Sequence, residues 1–243
     1  MEDIYSLLEV AKTNEDYRTI LEMLRWFDGF SCPRCGCSEA YRIQTRSLME
    51  CKHCGLQVSA TAWTFLHGVR NLGVWVKAIL SFLDIEGKSA IAVSKLFNSG
   101  YISAWFMMQK IRMVLQTSFD EAGDRQFLPC SMLRAALFKA SVGDDLFDMS
   151  KESGTEFQRD PSSGARAAAL VAFLLGTFYG VSRKYSQLYA LEFAYRNLCE
   201  SVEPAGLLLL FLRGRPISRQ MIISYVSPHM ILVSSGAKSR ASA

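Results

Sequence analysis

Two Cys-x-x-Cys pairs constrain the fold of this chain more than any other feature of the sequence. Their members are Cys32, Cys35, Cys51 and Cys54. Fifteen residues separate the inner cysteines, a spacing that is typical of a zinc ion held by four thiolates. Gly36 and Gly55 follow the second cysteine of each pair, where a residue without a side chain lets the backbone turn tightly. With a short polar hairpin over 41–50, the sequence predicts a structural zinc ribbon.

The other cysteines do not change this interpretation. Cys37 lies too close to Cys35 to replace it as a ligand, and Cys130 and Cys199 are isolated, so all three are expected to be spare thiols. A long chain with metal-type cysteine pairs and no signal peptide predicts a reducing compartment, and therefore the cytoplasm. The apolar runs 167–178 and 206–212 are too short to span a bilayer, so we expect no membrane insertion.

Positive charge is concentrated near the predicted ribbon. The whole chain of 243 residues carries a net charge of +4, but residues 29–115 contain ten basic and four acidic residues. A local basic surplus favours a polyanionic partner such as double-stranded DNA.

The residues after the ribbon predict helices in a helix-turn-helix arrangement. A helix over 89–97, with Ala90, Val93, Leu96 and Phe97 facing inward, is followed by a short glycine-containing turn and a helix from Tyr101. The first turn of that last helix would enter the major groove, while Lys110 and Arg112 reach phosphates. The alternative is an ordinary three-helix bundle. With the ribbon included, the predicted DNA-binding residues are Arg42, Arg46, Lys52, Lys88, Tyr101, Ser103, Lys110 and Arg112.

These segments resemble a known family. The stretches RWFDGFSCPRCG (25–36), CKHCGLQVSATAWTFLHG (51–68) and KSAIAVSKLF with YISAWFMMQKIR (88–112) are similar to the front part of bacterial insertion-sequence transposases. LGTFYGVSRKYSQLYALEFAYRN (175–197) resembles the closing helix region of their catalytic domain. The resemblance implies an N-terminal zinc ribbon, a helix-turn-helix and a ribonuclease-H-like domain of the DDE type. It also implies recognition of terminal inverted repeats, DNA transposition and recombination.

The sequence departs from the family pattern in several places. Ile102 stands where the family usually has a lysine, and Phe178-Tyr179-Gly180 replaces a histidine-containing motif. The family's ending after Tyr195-Arg196 is replaced by Asn197-Leu198-Cys199. About sixty residues separate Leu115 from Leu175, whereas a ribonuclease-H-like core needs roughly a hundred or more.

No catalytic residue is predicted. A site for two Mg²⁺ or Mn²⁺ ions needs carboxylates that converge from different elements. The candidates lie in polar segments that read as loop or linker: Asp120, Glu121, Asp124, Asp144, Asp145, Asp148, Glu152, Glu156 and Asp160. Glu192 is expected to be an exposed or ion-paired carboxylate on a helix. Magnesium or manganese is expected only if the chain is catalytic.

The predicted fold is mainly α with a small β zinc ribbon. The predicted segments are N-terminal helices (1–29), the ribbon (30–60), the helix-turn-helix region (61–117), a low-order linker (118–165), a helical remnant of the catalytic domain (166–212) and a poorly ordered basic tail (213–243). A short amphipathic helix is expected over 130–140. The predicted function is transposase-related DNA binding in the bacterial cytoplasm, at the nucleoid, without strand cleavage, and a homodimer is left open. The alternatives are an active metal-dependent transposase and a zinc-ribbon adaptor that binds protein.

Overall fold

The computed structural model describes residues 2–84, 86–120, 124–138, 161–198 and 202–236. Its helices are α1 (Glu2–Val10), α2 (Asn14–Arg25), α3 (Leu72–Leu80), α4 (Ala90–Leu96), α5 (Tyr101–Asp120), α6 (Pro161–Phe178), α7 (Ser186–Leu198), α8 (Pro204–Arg213) and α9 (Arg219–Ser224). Its strands are β1 (Ala40–Ile43), β2 (Leu48–Cys51), β3 (Gln57–Val58), β4 (Asp124–Pro129), β5 (Leu137–Phe138), β6 (Val181–Ser182) and β7 (Met230–Gly236). The predicted fold class, mainly helical with a small β ribbon, is confirmed. None of the helices described here is long and apolar enough to cross a membrane.

The chain divides into two compact units, and each unit is built from segments that are distant in the sequence. Unit 1 contains Met1–Leu80 and Val202–Pro216, and unit 2 contains Ser81–Ser201 and Ile217–Ala243. The region predicted as helix-turn-helix is therefore shared, because α3 belongs to unit 1 whereas α4 and α5 belong to unit 2.

Helix α2 is at the centre of the helical part of unit 1, where it contacts α1, α3 and α8. Its buried side chains are Tyr17, Ile20, Leu21 and Leu24. Helix α2 begins with a capping box formed by Thr13 and Asp16. The Asp16 N–H donates to the Thr13 hydroxyl over 3.2 Å, and the Thr13 N–H donates to the Asp16 carboxylate over 2.8 Å.

Helix α8 completes this core from a distant part of the chain. Leu207, Leu208 and Phe211 of α8 are buried, and the Phe211 ring packs edge-on against Phe65 with 4.9 Å between the ring centroids. Burying a leucine or phenylalanine side chain contributes about 1.5–3 kcal/mol, so α8 is a substantial part of the stability of unit 1.

The ribbon of unit 1 is a three-stranded antiparallel sheet in the order β1-β2-β3. In its register Ala40 faces Cys51 and Arg42 faces Met49, while Met49 faces Val58 on the other side. The predicted polar hairpin is confirmed, because β1 and β2 are joined by a short 3₁₀ turn over Gln44–Arg46.

Helix α7 is at the centre of unit 2, where it contacts α5, α6 and β7. Leu188, Ala190 and Leu191 of α7 are buried. Strand β7 pairs antiparallel with β4, and β5 pairs parallel with β6 through Leu137 opposite Val181.

Two predictions of local structure are wrong within the described residues. The expected helix over 130–140 is a 3₁₀ helix at Cys130–Ala136 followed by β5, because the chain pairs with β6 at Leu137 instead of completing helical turns. The residues 219–236, expected in a poorly ordered tail, form α9 and β7. The linker prediction for 139–160 and the tail prediction for 237–243 lie outside the described residues.

Candidate metal centre and nucleic-acid interface

The predicted cysteine ligands converge in unit 1. The Sγ atoms of Cys32, Cys35, Cys51 and Cys54 all lie within 4.8 Å of one another. The distance is 3.6 Å from Cys32 to Cys54 and 3.5 Å from Cys35 to Cys51. Four sulfurs bound to one tetrahedral zinc at 2.3 Å would be about 3.8 Å apart, so the quartet fits a zinc ion closely. Within the described part of the chain, no other group of His, Cys, Asp or Glu side chains is close enough to hold a metal.

Each cysteine pair is held by the same backbone arrangement. In the first knuckle, the Cys32 N–H donates to the Cys37 carbonyl over 2.9 Å, and the Gly36 N–H donates to the Cys32 carbonyl over 2.8 Å. In the second knuckle, the Cys51 N–H donates to the Leu56 carbonyl over 3.0 Å, and the Gly55 N–H donates to the Cys51 carbonyl over 2.9 Å.

The two glycines of the knuckles take the left-handed backbone conformation. The φ angle is +72° at Gly36 and +66° at Gly55, values that a residue with a side chain adopts only at a cost. The role predicted for them from the sequence is the one that they have in the structure.

The thiols of the quartet strongly influence one another. Backbone N–H groups of Cys54 and His53 donate to the Cys51 sulfur and, against the effect of burial, lower the pKa of Cys51 to about 6. The N–H of Cys37 acts to lower the pKa of Cys35, but burial and the neighbouring thiols outweigh it and raise that pKa to about 12. Four thiolates this close repel one another unless a cation lies between them, and a bound zinc ion would replace the remaining thiol protons.

Arg25 joins the ribbon to α2, a role that the sequence analysis missed. Its Nη1 donates to three backbone carbonyls in the segment after β3: Ser59 at 3.0 Å, Ala60 at 2.7 Å and Ala62 at 2.8 Å. Burial lowers the pKa of Arg25. Its guanidinium also lies 5.6 Å from the Trp26 ring, which packs against the ribbon core near Phe30. The adjacent Arg-Trp pair before the first cysteine was the available signal.

The basic residues predicted to contact DNA from the ribbon are exposed. Arg42 pairs with Glu22 at 3.2 Å, Lys52 pairs with Glu39 at 2.9 Å, and Arg46 lies in the exposed turn between β1 and β2. The Lys52–Glu39 pair is exposed on both sides, and such pairs contribute about 0–1 kcal/mol, so a phosphate could take the place of the Glu39 carboxylate at little cost. Glu22 is mostly buried, whereas its partner Arg42 is exposed.

In unit 2, α4 and α5 contact each other and are joined by a short turn in which Asn98 has a φ of 47°. Tyr101 and Ser103 are exposed at the start of α5, and Lys88 pairs with Asp84 just before α4. Val93 is buried as predicted, but Leu96 is 61% exposed and does not face inward. Helix α4 has seven residues, and Val93 is its one buried position.

Arg112 is placed where it cannot reach a phosphate, and its predicted role is wrong. It is 2% exposed, and its Nε donates to Glu192 over 2.6 Å. Arg196 donates to the other carboxylate oxygen of Glu192, also over 2.6 Å, and to the backbone carbonyl of Ser81 over 3.0 Å. Glu192 is fully buried and ion-paired. Lys110 is only partly buried, and this burial lowers its pKa.

The acidic candidates for a catalytic metal site cannot be placed. Asp144, Asp145, Asp148 and the acids up to Asp160 lie outside the described residues, as does Glu121. The structure gives the backbone of Asp120 and Asp124, at the end of α5 and the start of β4. The absence of a catalytic site therefore stays a prediction.

Comparison with known families supports the ribbon assignment. Residues 12–57 match the family model of the transposase zinc-ribbon domain of the IS1595 type. The match covers the capping box, α2, both cysteine pairs and the hairpin between them, so this segment is similar to a transposase zinc ribbon with a four-cysteine metal site. The remaining residues, including α4 and α5, lie outside the match. No curated protein and no solved structure matches the chain.

Proposed function

We propose that this chain is a transposase-related protein that binds double-stranded DNA, at transposon ends, through its zinc ribbon and the α4–α5 pair. The observation that carries the proposal is the convergence of four cysteines within a segment that matches a transposase zinc-ribbon domain. We propose a cytoplasmic, nucleoid-bound location with it, because the DNA that it would bind lies there.

The zinc ion would have a structural role. Four thiolate ligands fill the coordination sphere of zinc and leave no position for water or substrate. Bound zinc would hold the knuckles at Cys32 and Cys51 together, and with them the hairpin that carries Arg42 and Arg46. Because the ligands must gather around the ion, the energy of metal binding becomes folding energy of the ribbon.

The DNA contacts in this proposal come from exposed side chains of both units. Arg42, Arg46 and Lys52 would contact phosphates from the ribbon, and Lys88 would do so from the residues before α4. Tyr101 and Ser103 would approach base edges from the first turn of α5. Ile102 is 65% exposed in the same turn and can contact a thymine methyl group instead of donating a hydrogen bond.

The salt dependence of binding tests this proposal. Fluorescence anisotropy with the full-length, zinc-loaded protein and a labelled duplex gives Kd at several salt concentrations. Four phosphate contacts predict that log Kd rises with log salt concentration with a slope of roughly 3–4. A Kd that does not change with salt would refute DNA binding of this kind and favour the protein-binding adaptor.

We further propose that the chain binds DNA without cutting it. The support is the short interval between α5 and α6, which is too small for a complete ribonuclease-H-like core. The test is incubation of supercoiled plasmid and of end-containing duplex with the protein in Mg²⁺ or Mn²⁺. Metal-dependent nicking that disappears when Asp144 or Asp145 is changed to asparagine would establish the active transposase instead.

A further inference from the structure

Unit 2 contains a groove whose aromatic lining has no part in the proposed duplex contacts, apart from Tyr101. The groove has a volume of about 250 Å³. Its aromatic residues are Tyr101, Trp105, Phe178, Tyr179, Tyr185 and Tyr189. We call it the aromatic groove. Ser89 and Ser182 add hydroxyl groups to the lining, and no described residue of the lining is acidic.

Directly after α6, Tyr179 has a left-handed backbone conformation that glycine usually takes at this position of a helix end. Its φ is +59°, the left-handed region that bulky residues avoid, and its side chain is 84% exposed. The Tyr179 N–H donates to the Leu175 carbonyl over 3.0 Å, so the backbone is fixed at the end of α6. A strained residue that buries almost nothing within the unit contributes little to stability, and such residues cluster at binding sites.

Four other rings of the groove form two edge-to-face pairs. Trp105 and Tyr185 have ring centroids 5.3 Å apart with an interplanar angle of 76°, and Phe178 and Tyr189 have centroids 4.7 Å apart with an angle of 67°. In an edge-to-face pair, the ring that presents its edge keeps both of its flat faces free of that partner. Flat aromatic faces beside a cavity of this size are suited to stacking against another planar ring.

The positive charge of Arg112 next to the groove favours an electron-rich ligand that is part of a polyanion. The Arg112 guanidinium lies 4.1 Å from the centroid of the Tyr189 ring and 5.4 Å from that of Phe178. Arg112 and Arg196 share the single carboxylate of Glu192, and no second carboxylate pairs with them among the described residues. Among the described side chains, two positive charges thus face one negative charge behind two rings of the lining.

We propose that the aromatic groove receives an unpaired base of DNA, stacked on Tyr179, while the duplex beside it is held by α4–α5. This inference rests on the proposed DNA binding. Stacking a base on an aromatic side chain strengthens nucleic-acid binding by about tenfold for each base, and it does not depend strongly on which base is bound.

The experiment compares two duplexes with the full-length, zinc-loaded protein. One duplex is fully paired, and the other is identical except for one unpaired fluorescent adenine analogue. The wild type is expected to bind the second duplex about tenfold more tightly and to quench the fluorescence of the analogue. Tyr179→Gly removes the ring without backbone strain, and we expect it to abolish both the preference and the quenching while binding to the paired duplex stays within twofold.

Two further variants separate stacking from other effects. Tyr179→Phe keeps the ring and is expected to retain the preference. Tyr5→Ala removes an exposed tyrosine from α1 in unit 1 and is the matched control, with the preference unchanged. Equal affinity of the wild type for both duplexes, or a preference that persists in Tyr179→Gly, overturns the inference but leaves the proposed function intact. Failure to bind either duplex refutes the proposed function itself.

Discussion

Replacing Glu192 by glutamine tests whether this carboxylate is part of the core of unit 2 or part of a reaction centre. Glu192 lies in the segment that resembles the catalytic domain of transposases, so a catalytic role is the competing interpretation. Its two oxygens each accept a hydrogen bond from a buried arginine over 2.6 Å, one from Arg112 and one from Arg196. Glutamine keeps the size of the side chain but removes the charge that both guanidinium groups share.

The expected loss of stability follows from this geometry. At an effective dielectric constant of about 20 and a charge separation of about 4 Å, each ion pair contributes roughly 4 kcal/mol, or about 8 kcal/mol for the two pairs. Two effects reduce this loss. Burying a neutral glutamine avoids the desolvation cost of the carboxylate, which is several kcal/mol, and the amide oxygen of glutamine can still accept one hydrogen bond. The net loss is expected to be about 3–5 kcal/mol, the range measured when one partner of a buried ion pair is removed.

Thermal and urea unfolding of the full-length protein measure this loss. We expect Glu192→Gln to lower the Tm by roughly 10 °C. Glu39→Gln is the matched control, because Glu39 forms an exposed ion pair with Lys52, and the expected change is below about 1 kcal/mol. Zinc content should stay at one ion per chain, since the quartet belongs to unit 1. A Glu192→Gln protein with unchanged stability would refute the structural interpretation of this carboxylate.

The remaining predictions concern zinc, DNA and the backbone. Cys54→Ser is expected to lose the zinc ion and unfold the ribbon, whereas Cys37→Ser, which lies outside the quartet, is expected to keep one zinc ion per chain. Metal analysis of both purified variants measures this, and equal zinc content would contradict the assignment of the ligands. Acidification from about pH 7.5 to about pH 5 is expected to release zinc from the wild type, because protons compete for the thiolates, and a chromophoric chelator measures the release. Arg46→Gln should reduce the salt slope of duplex binding by about one, and an unchanged slope would exclude Arg46 from the phosphate contacts. Tyr179→Gly should raise the free energy of unfolding by about 0.5–1 kcal/mol, because glycine adopts a positive φ without strain. Urea unfolding measures this change, and a lower free energy of unfolding in the variant would contradict the prediction.

The ribbon could be predicted from the sequence because its signals are local. About thirty positions contain the cysteine pairs, the glycines after them and the polar residues between them. The structural role of each of these residues is determined by its near neighbours in the sequence. The capping box at Thr13 is equally local, since a cap needs only the few residues around it. The start of α5 at Tyr101 was predicted as well, directly after a short glycine-containing turn.

The core of unit 2 could not be predicted, because its contacts join residues that are far apart in the sequence. An arginine such as Arg112 is a residue type that commonly binds phosphate. That it is buried depends on its pairing with Glu192, which lies far away in the sequence. Strand β7 lies in a segment without family resemblance, yet Gln187 fixes it to α7. The Gln187 amide nitrogen donates to the Leu232 carbonyl over 2.9 Å, and the Leu232 N–H donates to the Gln187 amide oxygen over 2.8 Å.

Helix α8 has a consequence for how this protein is made. It belongs to the core of unit 1, but residues 81–201 are synthesised before it. During the synthesis of residues 81–201, α2 and α3 have already left the ribosome, but α8, which both of them contact in the folded protein, has not yet been made. A premature stop anywhere within residues 81–201 would therefore damage both units of the protein at once. A fragment cut at Leu80 would be a poor reagent for studying the ribbon, because it would expose apolar surface and aggregate.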